Sequence, residues 1–141
     1  MVDLSRKQAI LLVEDDQSTR DLLRNIIARK FPELHVITAE NGQAGLESFR
    51  LHAPRVVITD IKMPVMDGIE MAGAIRQLQP DVQFIVLTAY NNKTYLGRFN
   101  ELGYCAYLGK PIEFSKLFEA VERCCAEAAT HTHLPENYKE S

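Results

Sequence analysis

Five side chains of this sequence carry chemistry that belongs together: Glu14, Asp15, Asp60, Thr88 and Lys110. Each follows the end of an apolar run, at Val13, Thr59, Leu87 and Leu108-Gly109 in turn. Carboxylates crowded at one place repel, and without a counter-charge they raise each other's pKa values. A divalent cation relieves that repulsion. An oxygen-only ligand set selects a hard ion, and a shallow site that keeps water ligands suits Mg²⁺ better than Ca²⁺. An aspartate can also act as nucleophile and take up a phosphoryl group as an acyl phosphate. A metal ion, a lysine ammonium and a hydroxyl then stabilise the oxygens of the group in transfer. Asp60 is central in this arrangement and is the expected nucleophile, with Lys110 the point charge and Thr88 the hydroxyl.

Each residue taken singly has a plainer explanation. Glu14-Asp15-Asp16 can serve as cap and helix-dipole charges for a following helix. An aspartate after a strand is often a loop residue, Thr88 can be an ordinary strand-end hydroxyl, and Lys110 a solvated charge. These explanations weaken jointly, because none accounts for an acid pair, an acid, a hydroxyl and an ammonium at four neighbouring strand ends.

That neighbourhood depends on the elements between them. Ala9–Val13, Val56–Thr59 and Phe84–Leu87 are continuous apolar runs of the kind buried on both faces of a parallel sheet. Leu34–Ala39 and Cys105–Leu108 are more polar and fit the edges. Helical stripes lie between and after them: Leu22, Leu23, Ile26 and Ile27; Ala44, Leu46 and Phe49; Ile69, Ala72, Ile75 and Leu78; Tyr95, Leu96, Phe99 and Leu102; and Phe114, Leu117, Phe118, Val121, Cys125 and Ala128. Gly103 reads as a helix stop. Asp67-Gly68 reads as turn and helix-start chemistry rather than as a second reactive acid. Five βα units require right-handed crossovers with helices on both faces. The expected fold is α/β, a flavodoxin-like (βα)5 doubly wound parallel sheet in the order 2-1-3-4-5. Its switch point between the first and third strands is where a ligand site is expected.

The domain limits expected are an N-terminal extension over 1–8, one domain over 9–128, and a tail or linker start over 129–141. The formal net charge of −3 argues against direct nucleic-acid binding. No apolar run is long enough to span a bilayer, and no secretory signal is evident at the N-terminus. The three cysteines, Cys105, Cys124 and Cys125, form no CxxC pair. Their odd number suits a reducing compartment, with all three expected as small core or half-buried residues. A cytoplasmic location is expected. His131 and His133 are expected as tail residues, not metal ligands.

The stretches ILLVEDD (Ile10 to Asp16), VVITDIKMPVMDG (Val56 to Gly68), LTA (Leu87 to Ala89) and YLGKP (Tyr107 to Pro111), in this order, resemble the receiver domain of two-component response regulators, the CheY-like superfamily. The resemblance covers about Ala9 to Ala128. It implies phosphorylation of Asp60 by a sensor histidine kinase or a phosphotransfer protein. It also implies Mg²⁺ bound by Asp15 and Asp60, with Glu14 acting mainly through water and the backbone carbonyl of Lys62 as a further ligand. Thr88 and Lys110 match the residues that engage the phosphoryl group, and Tyr107 the aromatic switch position. By the same resemblance the Lys110-Pro111 bond is cis. Phosphorylation would reshape the surface of the fourth helix, fifth strand and fifth helix, which would control an output domain or protein and where two copies would pair. Tyr90, just past Thr88, is expected either to limit water access to the acyl phosphate or to be a partly exposed interface aromatic.

Other functions of the same architecture fit less well. A flavodoxin-type cofactor binder needs a phosphate cradle after the first strand, where Glu-Asp-Asp would repel phosphate. A Mg²⁺-dependent phosphatase needs sequence for a cap over its substrate, and the chain has none to spare. A receiver used only for docking has no need of the full acidic and Thr/Lys set. The expected role is a phosphoacceptor signalling domain rather than a metabolic enzyme.

Overall fold

The structure, a computed structural model, describes residues 8–89 and 93–133. Five strands alternate with five helices: β1 (Gln8–Val13), α1 (Gln17–Lys30), β2 (Leu34–Ala39), α2 (Gly42–His52), β3 (Val56–Asp60), α3 (Gly68–Leu78), β4 (Gln83–Thr88), α4 (Lys93–Leu102), β5 (Ala106–Gly109) and α5 (Phe114–His133). All pairings are parallel, in the order β2-β1-β3-β4-β5. This is the flavodoxin-like topology expected from the apolar runs.

Period-two alternation along the central strands feeds two cores. Ile10, Leu12, Ile58, Ile85 and Leu87 pack with Leu23 and Ile27 of α1 and Leu117 and Val121 of α5. Leu11, Val13, Val57, Phe84 and Val86 pack on the other face with Phe49 of α2, Met71 and Ile75 of α3, and Phe99 of α4. Burying a side chain of this size is worth about 1.5–3 kcal/mol. The two-sided burial is what fixes the middle strands, and with them the line of their carboxyl ends.

The helix starts follow the polar residues before them. Asp16 caps α1, accepting from the backbone N–H of Thr19 at 2.9 Å and from its hydroxyl at 2.6 Å. These bonds lower its pKa. Asn41 caps α2, and Asp67 caps α3 in a reciprocal box with Glu70. Gly103 ends α4 with φ of 85°, a conformation suited to glycine.

Three features differ from expectation. β5 lies one residue later than the apolar run Cys105–Leu108, because Cys105 enters the sheet only through its N–H, which donates to the Phe84 carbonyl at 2.8 Å. α5 continues through His133, beyond Ala128 where the apolar stripe ends, since Thr and His do not break a helix already nucleated on the core. The cysteines are not all unpaired: Cys105 and Cys124 form a disulfide, with Cα atoms 6.0 Å apart, and Cys125 is the free one. A spacing of 19 residues carries no pairing signal; the packing of α5 against β5 creates it. Cys124 is fully buried, as expected of a core cysteine. The expected extension and tail lie mostly outside the described residues, as do Tyr90 and the side chains of His131 and His133. Among the described residues no helix is long and apolar enough to cross a membrane.

Candidate functional site

Strand register brings the expected residues to one end of the sheet. Val13 is level with Thr59, Asp60 with Leu87, and Thr88 with Gly109, so Glu14, Asp60, Thr88 and Lys110 leave adjacent strands side by side. Glu14, Asp15 and Asp60 each offer an oxygen within 4.8 Å of the others. Glu14 is 1% exposed and Asp60 7%, while Asp15 faces solvent. Such a cluster, partly buried with an open side, can hold a divalent cation.

Lys110 answers the acids directly. Its ammonium donates to Asp60 Oδ2 at 2.6 Å and to Glu14 Oε1 at 3.3 Å. The other Asp60 oxygen, Oδ1, accepts from the Ile61 N–H at 2.8 Å. One ammonium does not neutralise the buried acids. Burial first, and then the charge of Asp60, push the Glu14 carboxyl up to about 7 against the pull of Lys110. Burial works to lower the Lys110 pKa, but its hydrogen bond to Asp60 and the charges of Asp60 and Glu14 outweigh it and raise it. Burial and a neighbouring like charge both disfavour the ionised carboxyl, a condition that a bound cation would relieve.

The backbone around the acids is closely fitted. Arg20, on α1, donates to the Glu14 carbonyl at 2.8 Å and so fixes the turn that presents the acid pair. Gly68 donates to the Ile61 carbonyl at 2.7 Å, folding the loop after Asp60 back on itself. A β-carbon at Gly68 would collide with the Asp60 carbonyl oxygen, so only glycine fits. The Lys110-Pro111 bond is cis, as the resemblance implied.

Thr88 and Tyr107 stand apart from the ion pairs. The Thr88 hydroxyl, buried, donates to the carbonyl of Ala89 at 3.2 Å. Tyr107 is 55% exposed and meets Tyr104 edge-on, ring centres 5.8 Å apart. Lys62 directs its ammonium over the Tyr95 ring of α4, 4.7 Å from the centroid. Neither that contact nor the bond from Arg20 was foreseen from the sequence. Only the one-turn offset of Arg20 from the Asp16 cap hinted at the latter.

The order of elements, the strand register and the acid–lysine cluster agree with a comparison against known families, in which the response regulator receiver domain model matches residues 10–122. The chain belongs to the response regulator receiver domain family. An uncharacterised response regulatory protein of Vibrio cholerae is 36% identical over 122 residues, which span 85% of this chain and 46% of that protein. Among solved structures, the N-terminal domain of an uncharacterised protein of Wolinella succinogenes superposes with a TM-score of 0.80 at 38% identity, covering 87% of this chain and 98% of that one. The receiver domain of AraT, a response regulator of Geobacillus stearothermophilus, gives a TM-score of 0.82 at 26% identity, covering 90% and 99%. The chain spans about half or less of the length of the first curated relatives it matches, between 32% and 53%. As a receiver domain of the CheY-like fold, this is a signalling domain of two-component systems.

Proposed function

We propose that Asp60 is the phosphoacceptor of this receiver domain, and that the donor is a phosphohistidine of a sensor histidine kinase or a phosphotransfer protein. One observation carries the reading: Asp60, at the switch point of the sheet, has one oxygen on the Lys110 ammonium and shares its cluster with Glu14 and Asp15. Ile61 and Lys110 orient the carboxylate, which attacks phosphorus. The new P–O bond forms as the P–N bond breaks, and the imidazole leaves with its electron pair. Lys110 and Thr88 then offer an ammonium and a hydroxyl to the phosphoryl oxygens.

The donor set fits Mg²⁺, being all oxygen, clustered and short of positive charge. Asp15 and Asp60 would bind it directly, Glu14 mainly through water, and the Lys62 carbonyl would complete the protein ligands. When bound, the ion supplies charge stabilisation for the transferring group. Phosphorylation adds close to two negative charges. Thr88, drawn toward them, leaves space beside β5 that Tyr107 would fill. The surface of α4, β5 and α5 changes with it, and that surface would meet an output domain or protein, or a second copy of the chain. A cytoplasmic location and slow intrinsic loss of the phosphoryl group belong to the same proposal.

Incubation with Mg²⁺ and a small phosphodonor such as acetyl phosphate, followed by intact mass, tests it. One added phosphoryl group is expected, absent without Mg²⁺ and absent in Asp60→Asn. An undiminished adduct in Asp60→Asn would overturn the assignment.

A further inference from the structure

The Cys105–Cys124 bridge has no part in phosphoryl transfer, and it sits where the domain is proposed to switch. Cys105 immediately precedes β5, the edge strand, and Cys124 lies on the inner face of α5. The backbone brings their Cα atoms to 6.0 Å, inside the range that a disulfide spans without movement of either element. Cys105 is also held by its backbone. Its N–H donates to the Phe84 carbonyl, and its own carbonyl accepts from Arg123 of α5 at 2.9 Å. Strand, helix and bridge therefore meet at one residue.

The two cysteines differ in exposure. Cys124 is wholly buried, whereas Cys105 is half-buried and lines an open groove with Tyr104, Tyr107, Lys116, Ala120 and Arg123. The third thiol is a poor competitor. Cys125, the next residue along α5, packs towards Phe31 and Leu34, and burial holds its thiol up at about 11, leaving little thiolate to attack the bridge. The domain does not need a staple, since its two cores are large and continuous. In the reducing compartment proposed above, a bridge of this kind is most often a redox-responsive one.

We propose that Cys105 and Cys124 form a reversible dithiol–disulfide site, reduced by a dithiol protein of the thioredoxin class, whose oxidised state ties β5 to α5. A thiolate of the reductant attacks the sulfur of Cys105, the more exposed residue of the pair, and the 105–124 bond breaks as a mixed disulfide forms. Cys124 leaves as thiolate and takes a proton. The second thiol of the reductant then displaces Cys105, so that two electrons and two protons pass to the receiver. The reverse exchange, with a protein or glutathione disulfide as oxidant, restores the bridge. Oxidation removes freedom from the segment carrying Tyr104 and Tyr107, and so from the outer half of a ring series that runs Phe84, Phe99, Tyr104, Tyr107. Its bearing on signalling rests on the proposed phosphorylation switch; the redox site itself does not.

The test equilibrates the full chain in a series of dithiothreitol or glutathione buffers, traps free thiols by alkylation in denaturant, and maps the linkages by peptide mass. The expected result is one two-electron transition between a 105–124 linked form and a form with all thiols alkylated, with Cys125 alkylated throughout. Cys125→Ser keeps the transition and Cys105→Ala abolishes it. On reduction, amide exchange over Ala106–Gly109 accelerates by roughly tenfold or more, as release of a loop of about twenty residues implies. Three free thiols in every buffer, a bridge that survives the most reducing one, or unchanged exchange over β5 would each overturn the proposal. No phosphodonor is present, so failure here leaves the Asp60 assignment standing, and failure of that assignment leaves this result standing.

Discussion

Replacing Lys110 by methionine probes the electrostatics of the site most directly, because two opposite effects on one protein follow from a single charge. The ammonium lies 2.6 Å from Asp60 Oδ2 and 3.3 Å from Glu14 Oε1, and the lysine side chain is 33% exposed. Breaking a fully buried pair by removing one partner costs about 3–5 kcal/mol. Solvent at the exposed third of this lysine reduces that, and about 2 kcal/mol of lost stability is expected in chelator. The opposite effect concerns Mg²⁺. An ion held by the carboxylates that the ammonium contacts would lie near it, and a divalent and a monovalent charge about 5 Å apart repel by about 1.7 kcal/mol even at the dielectric of water. Lys110→Met is therefore expected to bind Mg²⁺ about tenfold more tightly than the unaltered chain while folding less stably without it. Urea denaturation in chelator measures the first effect, and calorimetric titration with Mg²⁺ at low ionic strength the second. Equal or weaker Mg²⁺ affinity in the variant would refute the idea that lysine and metal share these acids.

Glu14 makes the site sensitive to pH. Its folded-state pKa of about 7 lies above the ordinary 4.5, so folding takes up a proton between those values. Its stabilising contribution is complete below about pH 4.5 and is lost as pH rises through about 7. Mg²⁺ needs the ionised acid, so the rise in melting temperature on adding Mg²⁺ should be larger at pH 8 than at pH 6; an equal or smaller rise at pH 8 counts against it. Gly68→Ala forces a β-carbon onto the Asp60 carbonyl and should cost about 1–3 kcal/mol and slow phosphoryl uptake, as read by denaturation and intact mass. Arg76 donates to the carbonyls of Pro80, Val82, Leu102 and Gly103 at 2.6–2.9 Å. Arg76→Ala should lower stability by about 2–4 kcal/mol, whereas a merely exposed arginine would lose under about 0.5 kcal/mol in the same denaturation experiment.

The sheet and the acid cluster were legible in the sequence because each follows from a short-range signal. Apolar runs buried on both faces identify central strands, and in a parallel sheet the residue after each run must lie at the same end as its neighbours. Asp60 could thus be told from Asp67 by place alone: one ends β3, and the other caps α3 in a box with Glu70. What escaped was contact between elements distant in sequence. Cys105 and Cys124 meet only because α5 returns across the sheet onto β5, and Lys62 reaches Tyr95 only because α4 lies beside the loop after β3. Arg76 gathers the ends of two helices and stacks over Phe84, 4.9 Å from its ring centroid, yet in the sequence it is one more charged residue on a helix. The length of α5 was missed for a different reason. A helix anchored by its first turns can run on without an apolar face, and periodicity cannot see that part.

The site joins firmly held groups to loosely held ones, and that contrast is what a switch requires. Asp60 is fixed by the Ile61 N–H, by Lys110 and by the close approach of Gly68, so the oxygen proposed to react has little freedom. The Thr88 hydroxyl has a 3.2 Å bond to the next carbonyl, and the exposed Tyr107 ring has an edge contact with Tyr104. Moving them would forfeit a weak hydrogen bond of about 1 kcal/mol and an aromatic contact of similar size. Charge-assisted contacts to a phosphoryl group are roughly twice as strong as neutral ones. On the proposed switch, the balance lies close enough for one modification to reverse it. If the proposed tether between β5 and α5 adds to the cost of moving Tyr107, oxidation would shift that balance toward the exposed position, with the reacting carboxylate left where it is.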